Sequence, residues 1–543
     1  MSSRSKGEPV CADADVEADV CVIVEGCYPF VSGGVSTWLD WLMRSQPALT
    51  FRVVSIVSDE TPRVSRYASP DNLLSLDTLA LHPRLTAPLR QSDQGMPDSS
   101  AMADAMLKLL EPGGGFHAFA RLITVLKVNG TVPTLTELKA SPASWHAIMQ
   151  MYERLMPQAS FLHFFWAWQA LFGGLFSILL APIPKARTYH TISTGYAGLL
   201  AARAVAETGK PALLTEHGIY TNERRIEILM ADWIADTVQK GISQRDERID
   251  LRDLWTKAFD AFALACYQSC TTVTTLYSDN QRLQRALGAE RKKLAVIANG
   301  IDVSRFGKLP VAPQEAVPTI ALIGRVVPIK DVKSFISAAA ILHRQIPDLR
   351  ALVLGPSDED PAYADECVRL IHELDLDTCV HLLGSVNVLD HLPEIHVVVL
   401  SSLSEAQPLV LLEAGAAGIP CIATDVGACR EILEGAVNER PRLGAGGFVT
   451  SLVAPQEIAA AAQKLLEDEL LRRRMGETLR SRVGQFYESE RASRNYEKLY
   501  ARHGAYPHPT EARPGVVPLR AFRKRGKQTD RRRLPPRTPW PPW

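Results

Sequence analysis

The stretch "DVCVIVEGCYPFVSGGVSTWLDWL", Asp19 to Leu42, decides the fold of the first half of the chain. It begins with an unbroken apolar run, which is typical of a β-strand buried on both faces. It ends with tryptophans and leucines at helical spacing, and a glycine pair, Gly33 and Gly34, lies between the two parts. A buried strand that turns into an amphipathic helix is the repeating unit of a parallel α/β domain.

The glycine pair allows two interpretations. Glycine is favoured in a tight strand-to-helix turn because it has no side chain that could clash. Glycine also leaves backbone N–H groups open at the start of a helix, where they can bind a phosphate against the helix dipole. The stretch is neither G-x-G-x-x-G nor a P-loop with its lysine, so these residues alone leave both interpretations open.

The same alternation of strand and helix continues along the chain. Apolar runs in the first half predict strands at "FRVVSIV", "TYHTIS", "PALLTE", "CTTVTTL" and "KLAVIANG". Runs in the second half predict strands at "TIALIGR", "RALVLGP", "CVHLLG", "HVVVLSS" and "PCIATDV". We therefore predict two doubly wound, Rossmann-like α/β domains that face a central cleft, with ligands beyond the carboxyl ends of the strands.

Composition shifts define the ends of these domains. Residues 505–543 contain nine prolines, ten Lys or Arg and two acids. A segment of this composition cannot form a core. It is compatible with a solvated chain and with a weak anchor to anionic lipid. The predicted segments are a disordered tail over residues 1–17, an acceptor-side domain over 18–310, a donor domain over 311–485, a helix over 486–504 that returns to the first domain, and a disordered basic tail over 505–543.

The bulk composition restricts the partners and the compartment. Lys plus Arg and Asp plus Glu both number 60, so the net charge predicts no nucleic-acid partner. Nine cysteines without a CxxC pair indicate reduced thiols. The N-terminus lacks the apolar core of a signal peptide. Together these features predict a cytoplasmic protein.

One long apolar stretch raises the question of a membrane span. Residues from Ala159 to Pro184 include no charged side chain, and the stretch is long enough to cross a bilayer. His163, Gln169 and the Gly173-Gly174 pair argue against a span. A helix in the core of a large α/β domain is also apolar on all sides, and we predict this alternative.

Two motifs of the second half suit a nucleotide sugar. Arg325 follows a strand end, and Lys330 comes five residues later in a loop that opens a helix. Two such cations are suited to a diphosphate. Glu405 and Glu413 stand eight residues apart around a helix start, and carboxylates accept hydrogen bonds from sugar hydroxyls. Taken singly, each residue is also compatible with a solvated surface.

These motifs resemble the donor domain of GT-B glycosyltransferases of family four (GT4), whose E-x7-E signature matches Glu405 and Glu413. "EGCYPFVSGGVSTW", "TEHGIYTNERRIEI" and "GPSDEDP" further resemble the PelF-type enzymes of Pel exopolysaccharide biosynthesis. The resemblance spans roughly Asp19 to His503. It implies retaining transfer from a UDP-hexose or UDP-N-acetylhexosamine onto a polysaccharide acceptor of the biofilm matrix. It implies no metal and no cofactor, and it implies inner-membrane Pel synthase components as partners, with recruitment to the inner face of that membrane.

The resemblance also assigns the donor-binding residues. Gly33 and Gly34 would offer backbone N–H groups near the donor phosphates, which favours the phosphate interpretation. Arg325 and Lys330 would clamp the diphosphate, and Glu413 would bind the ribose hydroxyls. In the family, leaving-group charge is stabilised by such cations and N–H groups rather than by a metal.

Catalysis is assigned by the resemblance to Glu405 and His217. Glu405 would bind hydroxyls of the transferred sugar, and His217, which follows Glu216 at a strand end, would lie near the anomeric centre. A lone histidine is also compatible with a structural role. Two positions depart from the family. Ala406 replaces a glycine, so the identity of the transferred sugar stays undetermined. Asp331 follows Lys330, and its side chain is also suited to cap the next helix.

Two other functions remain compatible with the fold. One is a nucleotide-sugar 2-epimerase, which the E-x7-E pair disfavours. The other is a non-catalytic nucleotide-sugar-binding subunit of a membrane synthase. Products formed from donor and water alone would identify an epimerase, and turnover with an acceptor would exclude a binding subunit.

Overall fold

The structure is a computed structural model, in which the chain forms two compact units. Its described residues are 16–84, 95–128, 130–230 and 250–506. The predicted disordered tails fall largely outside them. Within the described residues, the first unit contains the chain up to Thr275, Asn280–Val296 and the chain from Tyr496, and the second contains Leu276–Asp279 and Ile297–Asn495.

A parallel sheet forms the centre of the first unit. The order of its seven described strands is β3-β2-β1-β4-β5-β6-β7, so the order reverses between β1 and β4. In an open α/β sheet such a reversal leaves a crevice at the carboxyl ends of the two strands. The strands are β1 (Ala18–Glu25), β2 (Phe51–Val57), β3 (Leu73–Ala80), β4 (Ala186–Thr191), β5 (Ala212–Glu216), β6 (Thr272–Thr275) and β7 (Leu294–Val296).

Helices cover this sheet, and five of them, α2 to α6, are inserted between β3 and β4. The helix that follows the opening stretch begins at Gly34, and its tryptophan and leucine face is buried, as the spacing predicts. The helices are α1 (Gly34–Ser45), α2 (Ser99–Leu110), α3 (Gly115–Leu126), α4 (Leu135–Ala140), α5 (Pro142–Leu155), α6 (Phe161–Leu180), α7 (Tyr196–Thr208), α8 (Tyr220–Met230), α9 (Leu251–Ser269) and α10 (Asn280–Ala286).

The long apolar stretch forms α6. Within the described part of the chain, this is the one helix whose length and composition would allow it to cross a membrane. In its most apolar window, 67% of the helix is buried inside the structure. Its buried face, which includes Trp168 and Phe172, packs in the core of the first unit together with α4, α7 and α9. This burial favours the core-helix interpretation.

The second unit repeats the same plan on a smaller scale. Its described strands are all parallel in the order β10-β9-β8-β11-β12-β13, and the order reverses between β8 and β11. The predicted pair of doubly wound domains is therefore confirmed. The strands are β8 (Thr319–Ile323), β9 (Arg350–Leu354), β10 (Val380–Gly384), β11 (Val397–Leu400), β12 (Cys421–Thr424) and β13 (Gly447–Thr450).

Helices of the second unit include the segments predicted after Asp331 and after Pro408. The last helix, α19, belongs to the second unit at its start and to the first unit from Tyr496 onward. The helices are α11 (Val303–Phe306), α12 (Val332–His343), α13 (Pro361–Glu373), α14 (Val388–His391), α15 (Leu409–Ala417), α16 (Cys429–Glu434), α17 (Pro455–Glu467), α18 (Glu469–Phe486) and α19 (Ser489–Arg502).

The structure divides the chain earlier than the predicted boundary at residue 310. The segment from Ile297 joins the second unit because its backbone is bonded there. The N–H of Asn299 donates to Gln407 Oε1 at 2.8 Å, and the N–H of Ile301 donates to the carbonyl of Tyr487 at 2.9 Å. These bonds shift the boundary to Ile297.

Buried polar contacts join the end of the chain to the first sheet. Tyr500 Oη lies 2.7 Å from Nδ1 of His190, and Thr215 Oγ1 lies 2.8 Å from Nε2 of the same ring. Thr188 Oγ1 donates to the carbonyl of His503 at 3.0 Å. His190 is fully buried, and desolvation, aided by nearby His217, lowers its pKa to about 3.

The buried, neutral His190 predicts a pH-dependent stability. Below pH ~6.5 the unfolded chain takes up a proton on this histidine, whereas the native state does not until about pH 3. Its contribution is thus complete above pH ~6.5 and is lost as the pH falls towards 3, with a slope of up to about 1.4 kcal/mol per pH unit. We expect His190→Gln to remove this slope from urea unfolding measured between pH 7 and 5. Equal pH dependence in both proteins would contradict the assignment.

Candidate functional site

In the first unit the strand order reverses at the carboxyl ends of β1 and β4, and Gly33 and Gly34 lie just beyond β1. Gly33 caps α1 with extended backbone that any residue can adopt, and its helix has no side-chain cap. Among the described residues, nothing lies within 4 Å of the position a Cβ would take at either glycine. The turn that needs glycine is instead Gly26, with φ of +67°. The turn therefore does not require glycine at Gly33 or Gly34, and their binding of a phosphate stays a prediction.

A partly buried carboxylate at the end of β1 connects three elements. Glu25 Oε1 accepts from Tyr220 Oη at 2.6 Å, and Oε2 accepts from the N–H of Ala197 at the start of α7 at 3.2 Å. Burial raises the pKa of Glu25. A Cβ at Gly195 would lie 2.6 Å from the Tyr220 ring, so this glycine permits the close approach. Glu25 was not predicted as a site residue from the sequence, although a first acid at the end of an apolar run was a usable signal.

Buried hydroxyl groups without partners lie close in the chain to Ala197 and Tyr220, the two residues that bond Glu25. Ser193 and Thr194 follow β4, and Thr221 lies in the first turn of α8. Each side chain is more than 90% buried, and none of the three hydroxyls has a hydrogen-bond partner in the described structure. A buried polar group costs free energy when it stays unpaired. These hydroxyls are therefore suited to a ligand that supplies the missing hydrogen bonds.

His217 follows β5, the neighbour of β4. Neither ring nitrogen has a hydrogen-bond partner among the described residues, and the edge of the ring lies against Trp38, with 4.5 Å between ring centroids. Desolvation lowers the pKa of His217 to about 4, so the ring is neutral near pH 7. A neutral imidazole can accept a proton or a hydrogen bond from a ligand.

Glu216 does not belong to this site, although it precedes His217 in the chain. Successive strand residues point to opposite faces, and Glu216 points into the core. Its Oε2 accepts from Tyr267 Oη at 2.7 Å and from Gln284 Nε2 at 3.0 Å. Burial raises the pKa of Glu216 to about 7. Glu216 therefore gives no support to a functional role for His217.

In the second unit the strand order reverses between β8 and β11, and Arg325 and Lys330 both follow β8. A Cβ at Gly355 would lie 2.1 Å from the Gly324 carbonyl oxygen, so the ends of β8 and β9 approach closely. Arg325 forms an ion pair with Glu359, and both side chains are about half exposed. An exposed ion pair stabilises little, so a phosphate can compete for this guanidinium.

Lys330 and Glu405 meet across the strand reversal. Lys330 Nζ donates to Glu405 Oε1 at 2.5 Å, and Ser402 Oγ donates to the same oxygen at 2.7 Å. The two ionic side chains are only 20% and 14% exposed. The structure thus brings together two predicted site residues that are 75 positions apart in the chain.

Backbone contacts hold the two loops of this pair in place. Ser401 Oγ lies 2.9 Å from the carbonyl oxygens of both Lys330 and Asp331. The N–H of Leu403 donates to the carbonyl of Ile329 at 2.8 Å. Asp331 has a φ of +45°, and its side chain accepts from the first turn of α12. Its predicted role as a helix cap is confirmed.

The loop that contains Glu405 packs against the turn that contains Gly427. Gly427 has a φ of +53°, and a Cβ there would lie 2.2 Å from the Glu405 carbonyl oxygen and 2.4 Å from that of Ala406. The N–H of Ala428 donates to the carbonyl of Ala406 at 2.8 Å. Close approach to Gly427 therefore determines the position of the Glu405 backbone.

Glu413 is the fifth residue of α15, within the helix as predicted. Its carboxylate makes no hydrogen bond or ion pair with another described residue. Desolvation raises the pKa of Glu413 to about 7, and the nearby Arg305 opposes this shift. A poorly solvated carboxylate without a partner is suited to accept hydrogen bonds from a diol.

Gln407 connects two loops of the second unit, a role that the sequence did not predict. Its side chain accepts from the N–H of Asn299 at 2.8 Å and donates to the carbonyl of Asn299 at 3.1 Å. Asn299 Oδ1 is buried and has no partner among the described residues. Across the described ranges, no group of three or more His, Cys, Asp or Glu could hold a metal ion.

Two family models match the chain. One is described as "Domain of unknown function (DUF3492)" and matches residues 18–292, slightly more than half of the chain. The other is described as "Glycosyl transferases group 1" and matches residues 310–482. The second match covers Arg325, Lys330, Glu405 and Glu413.

Curated relatives match over shorter parts of the chain. It is 31% identical over 173 residues to N-acetyl-alpha-D-glucosaminyl L-malate synthase of Bacillus anthracis, covering 32% of this chain and 42% of that protein. It is 31% identical over 220 residues to D-inositol 3-phosphate glycosyltransferase of Nocardia farcinica, covering 38% and 46%. The chain thus spans less than half the length of these relatives.

Solved structures resemble nearly the whole chain. Sucrose-phosphate synthase from Thermosynechococcus elongatus has a TM-score of 0.53 at 17% identity, covering 89% of this chain and 98% of that one. Anabaena Alr3699/HepE in complex with UDP has a TM-score of 0.54 at 13% identity, covering 89% and 99%. At these identities the likeness establishes the fold alone, and the predicted GT-B fold class is confirmed.

The contact at Gly427 generates a stability prediction with a matched control. We expect Gly427→Ala to cost about 1–2 kcal/mol from its left-handed backbone and about 1–3 kcal/mol more from overlap with the Glu405 loop. Gly384→Ala is the control, because Gly384 has a φ of +67° and nothing within 4 Å of its Cβ position among the described residues. The free energy of unfolding in urea is measured for both variants and for the unmodified chain. Equal losses would show that the close approach contributes nothing.

Proposed function

This chain belongs to the family described as DUF3492, and we propose that it is a GT-B glycosyltransferase, which moves a sugar from a nucleotide-diphosphate sugar to an acceptor hydroxyl. The match of its second half to group 1 glycosyl transferases supports this proposal. So does the placement of ionic side chains at the strand reversal of the second unit, where ligands of open α/β sheets bind.

The contact of Lys330 with Glu405 is the observation on which the proposal depends. An ammonium group has three N–H donors, so Lys330 can bind a phosphate oxygen while it still holds Glu405. Glu405 has a second carboxylate oxygen, which can accept from hydroxyls of the transferred sugar. One rigid pair can thus position the phosphate and the sugar on the two sides of the bond that breaks.

The proposed mechanism is retaining transfer without a metal. Negative charge develops on the leaving diphosphate as the glycosidic bond breaks. In the second unit, Lys330 and Arg325 would stabilise that charge. In the first unit, the open N–H groups at Gly33 and Gly34 are separately proposed to bind phosphate. Neutral His217 would lie near the anomeric centre, and the unpaired hydroxyls of the first unit would bind hydroxyls of a sugar.

We further propose a UDP-sugar as donor, either a UDP-hexose or a UDP-N-acetylhexosamine. Glu413 would accept from the ribose hydroxyls. The UDP bound by the structural neighbour Alr3699/HepE supports the nucleotide. The Ala406 methyl lies in the Glu405 loop, where it would narrow the range of sugars accepted.

The acceptor is proposed to be a growing exopolysaccharide of the Pel type, made for a biofilm matrix. The motifs around Gly33 and His217 and the segment "GPSDEDP" support this finer assignment. The proposed setting is the cytoplasm, at the inner face of the membrane, with Pel synthase components as partners and no nucleic acid.

Turnover of a panel of nucleotide sugars with and without acceptor tests the proposal. We expect Lys330→Ala to lower turnover at saturating donor about 100-fold, because a charge-assisted contact of roughly 1.5–3 kcal/mol is lost as charge develops. Lys333→Ala is the matched control, since Lys333 pairs with Glu366 on the surface. All assays are repeated with excess chelator, which should change nothing.

Three results would contradict this function. Wild-type turnover in Lys330→Ala would show that Lys330 makes no phosphate contact on which the reaction depends. Conversion of the donor without acceptor into its epimer would indicate an epimerase. Donor binding without any turnover would indicate a binding subunit.

Separate roles for the two carboxylates give a further prediction. We expect Glu413→Gln to weaken UDP binding by a factor of about 2 to 10, because a hydrogen bond to ribose contributes roughly 0.5–1.5 kcal/mol. Glu405→Gln should keep UDP affinity, since it leaves Lys330 free for phosphate, but should lower turnover of the sugar. Calorimetric titration with UDP and a turnover assay measure the two effects. Loss of UDP affinity in Glu405→Gln but not in Glu413→Gln would reverse the assignment.

A further inference from the structure

Aromatic and aliphatic side chains form an exposed cluster on α5 and α6 of the first unit. We call it the aromatic patch and define it as Trp145, Phe161, Leu162, Phe165 and Trp166. Trp145, Leu162 and Trp166 are 47%, 59% and 62% exposed. The Trp145 ring lies 5.5 Å from Phe161 and 5.8 Å from Phe165, and Phe165 lies 5.3 Å from Trp166, measured between centroids.

The contacts within the patch distinguish it from scattered apolar residues. Single exposed apolar side chains are normal on protein surfaces, whereas a contiguous cluster indicates an interaction site. Leu162 and Trp166 are four residues apart and share one face of α6. Ring packing among the other members holds the cluster in one arrangement before any partner binds.

The chemistry of the patch favours lipid over protein as its partner. The stretch from Ala159 to Pro184 includes no charged residue, so no ionised group of α6 would be desolvated on entering a bilayer. The exposed polar side chains next to patch residues in sequence are those of His146, Ser160 and His163, and none of them is a permanently charged group. Arginine, which is enriched in protein interfaces, is absent from the stretch. Tryptophan and other aromatic residues are typical of the membrane–water boundary.

The chain that follows the described residues supplies a matching charge. Tyr506, the last described residue, belongs to the first unit, where its hydroxyl lies 3.4 Å from Gln46 Oε1. Residues 507–543 contain ten Lys or Arg, two acids and two tryptophans. A segment of 37 residues can reach at most about 130 Å, which is enough to meet a surface on any side of this unit.

We propose that the aromatic patch binds the first unit to an anionic bilayer surface, and that the positive charge of residues 507–543 adds an electrostatic attraction to the same surface. The patch would enter the boundary between headgroups and acyl chains, while the buried remainder of α6 stays in the protein core. The ten Lys or Arg of residues 507–543 would be attracted to anionic headgroups. Stable but reversible binding takes two such weak signals acting together. This inference does not depend on the proposed glycosyl transfer.

Vesicle co-sedimentation of the full chain tests the proposal. We expect the protein to sediment with phosphatidylcholine vesicles that contain phosphatidylglycerol, and to be released in part by high salt. Trp145→Ser combined with Trp166→Ser should weaken binding at least about tenfold at every salt concentration, because two aromatic contacts with lipid are lost. Arg531→Glu, Arg532→Glu and Arg533→Glu together should remove the salt-sensitive part.

Leu470→Ser is the matched control, because Leu470 is 82% exposed on α18 of the second unit and lies outside the patch. It should bind as the unmodified chain does. Equal thermal midpoints would show that the variants fold. A chain that stays in the supernatant with all vesicles would overturn the proposal, and so would a patch variant that binds normally. A dimer in sedimentation velocity that the patch variant dissociates would identify the patch as an interface between copies and would also overturn it.

Discussion

Parallel strands end at one edge of their sheet, and both units of this protein depend on that constraint. Each unit reverses its strand order once, between β1 and β4 and between β8 and β11. Helices on the two sides of a reversal diverge, so side chains from strand-following loops can meet there without a covering helix. Lys330 and Glu405 are such a pair, and Glu25 with Tyr220 and Ala197 forms the equivalent set in the first unit.

The two units use buried charge differently. In the first unit, desolvation raises the pKa of Glu25 and Glu216 and lowers the pKa of His190 and His217. These groups are therefore biased towards neutral forms, which act through hydrogen bonds. In the second unit, Glu413 is likewise biased towards its neutral form, but Lys330 balances Glu405 in a partly buried ion pair. A neutral hydrogen-bonding surface is suited to sugar hydroxyls, and an ionic pair is suited to a diphosphate.

The helix α6 shows how one apolar segment can have two environments. Its second half is buried in the core, whereas Leu162 and Trp166 in its first turns are exposed. Composition and length alone make it look like a membrane span. Packing removes most of that apolar surface from water and leaves an exposed aromatic end, which is the part available to a bilayer or another partner.

The sequence by itself determined the class of fold and most of the strands, because unbroken apolar runs and helical spacing are local patterns. It missed β3, which is mostly half-exposed, and β13, in which only Phe448 and Val449 are large apolar residues. It identified Lys330 as a residue suited to bind phosphate and Glu405 as a residue suited to bind sugar hydroxyls. Their contact across 75 positions was decided only by tertiary structure, because strand order determines which loops become neighbours.

Tertiary structure alone also decided the environment of each side chain. It placed the glycine that the turn requires at Gly26 rather than at Gly33, and it directed Glu216 into the core. It left His217 without hydrogen-bond partners among the described residues. Burial and pairing depend on groups that are distant in sequence, so no local pattern records them.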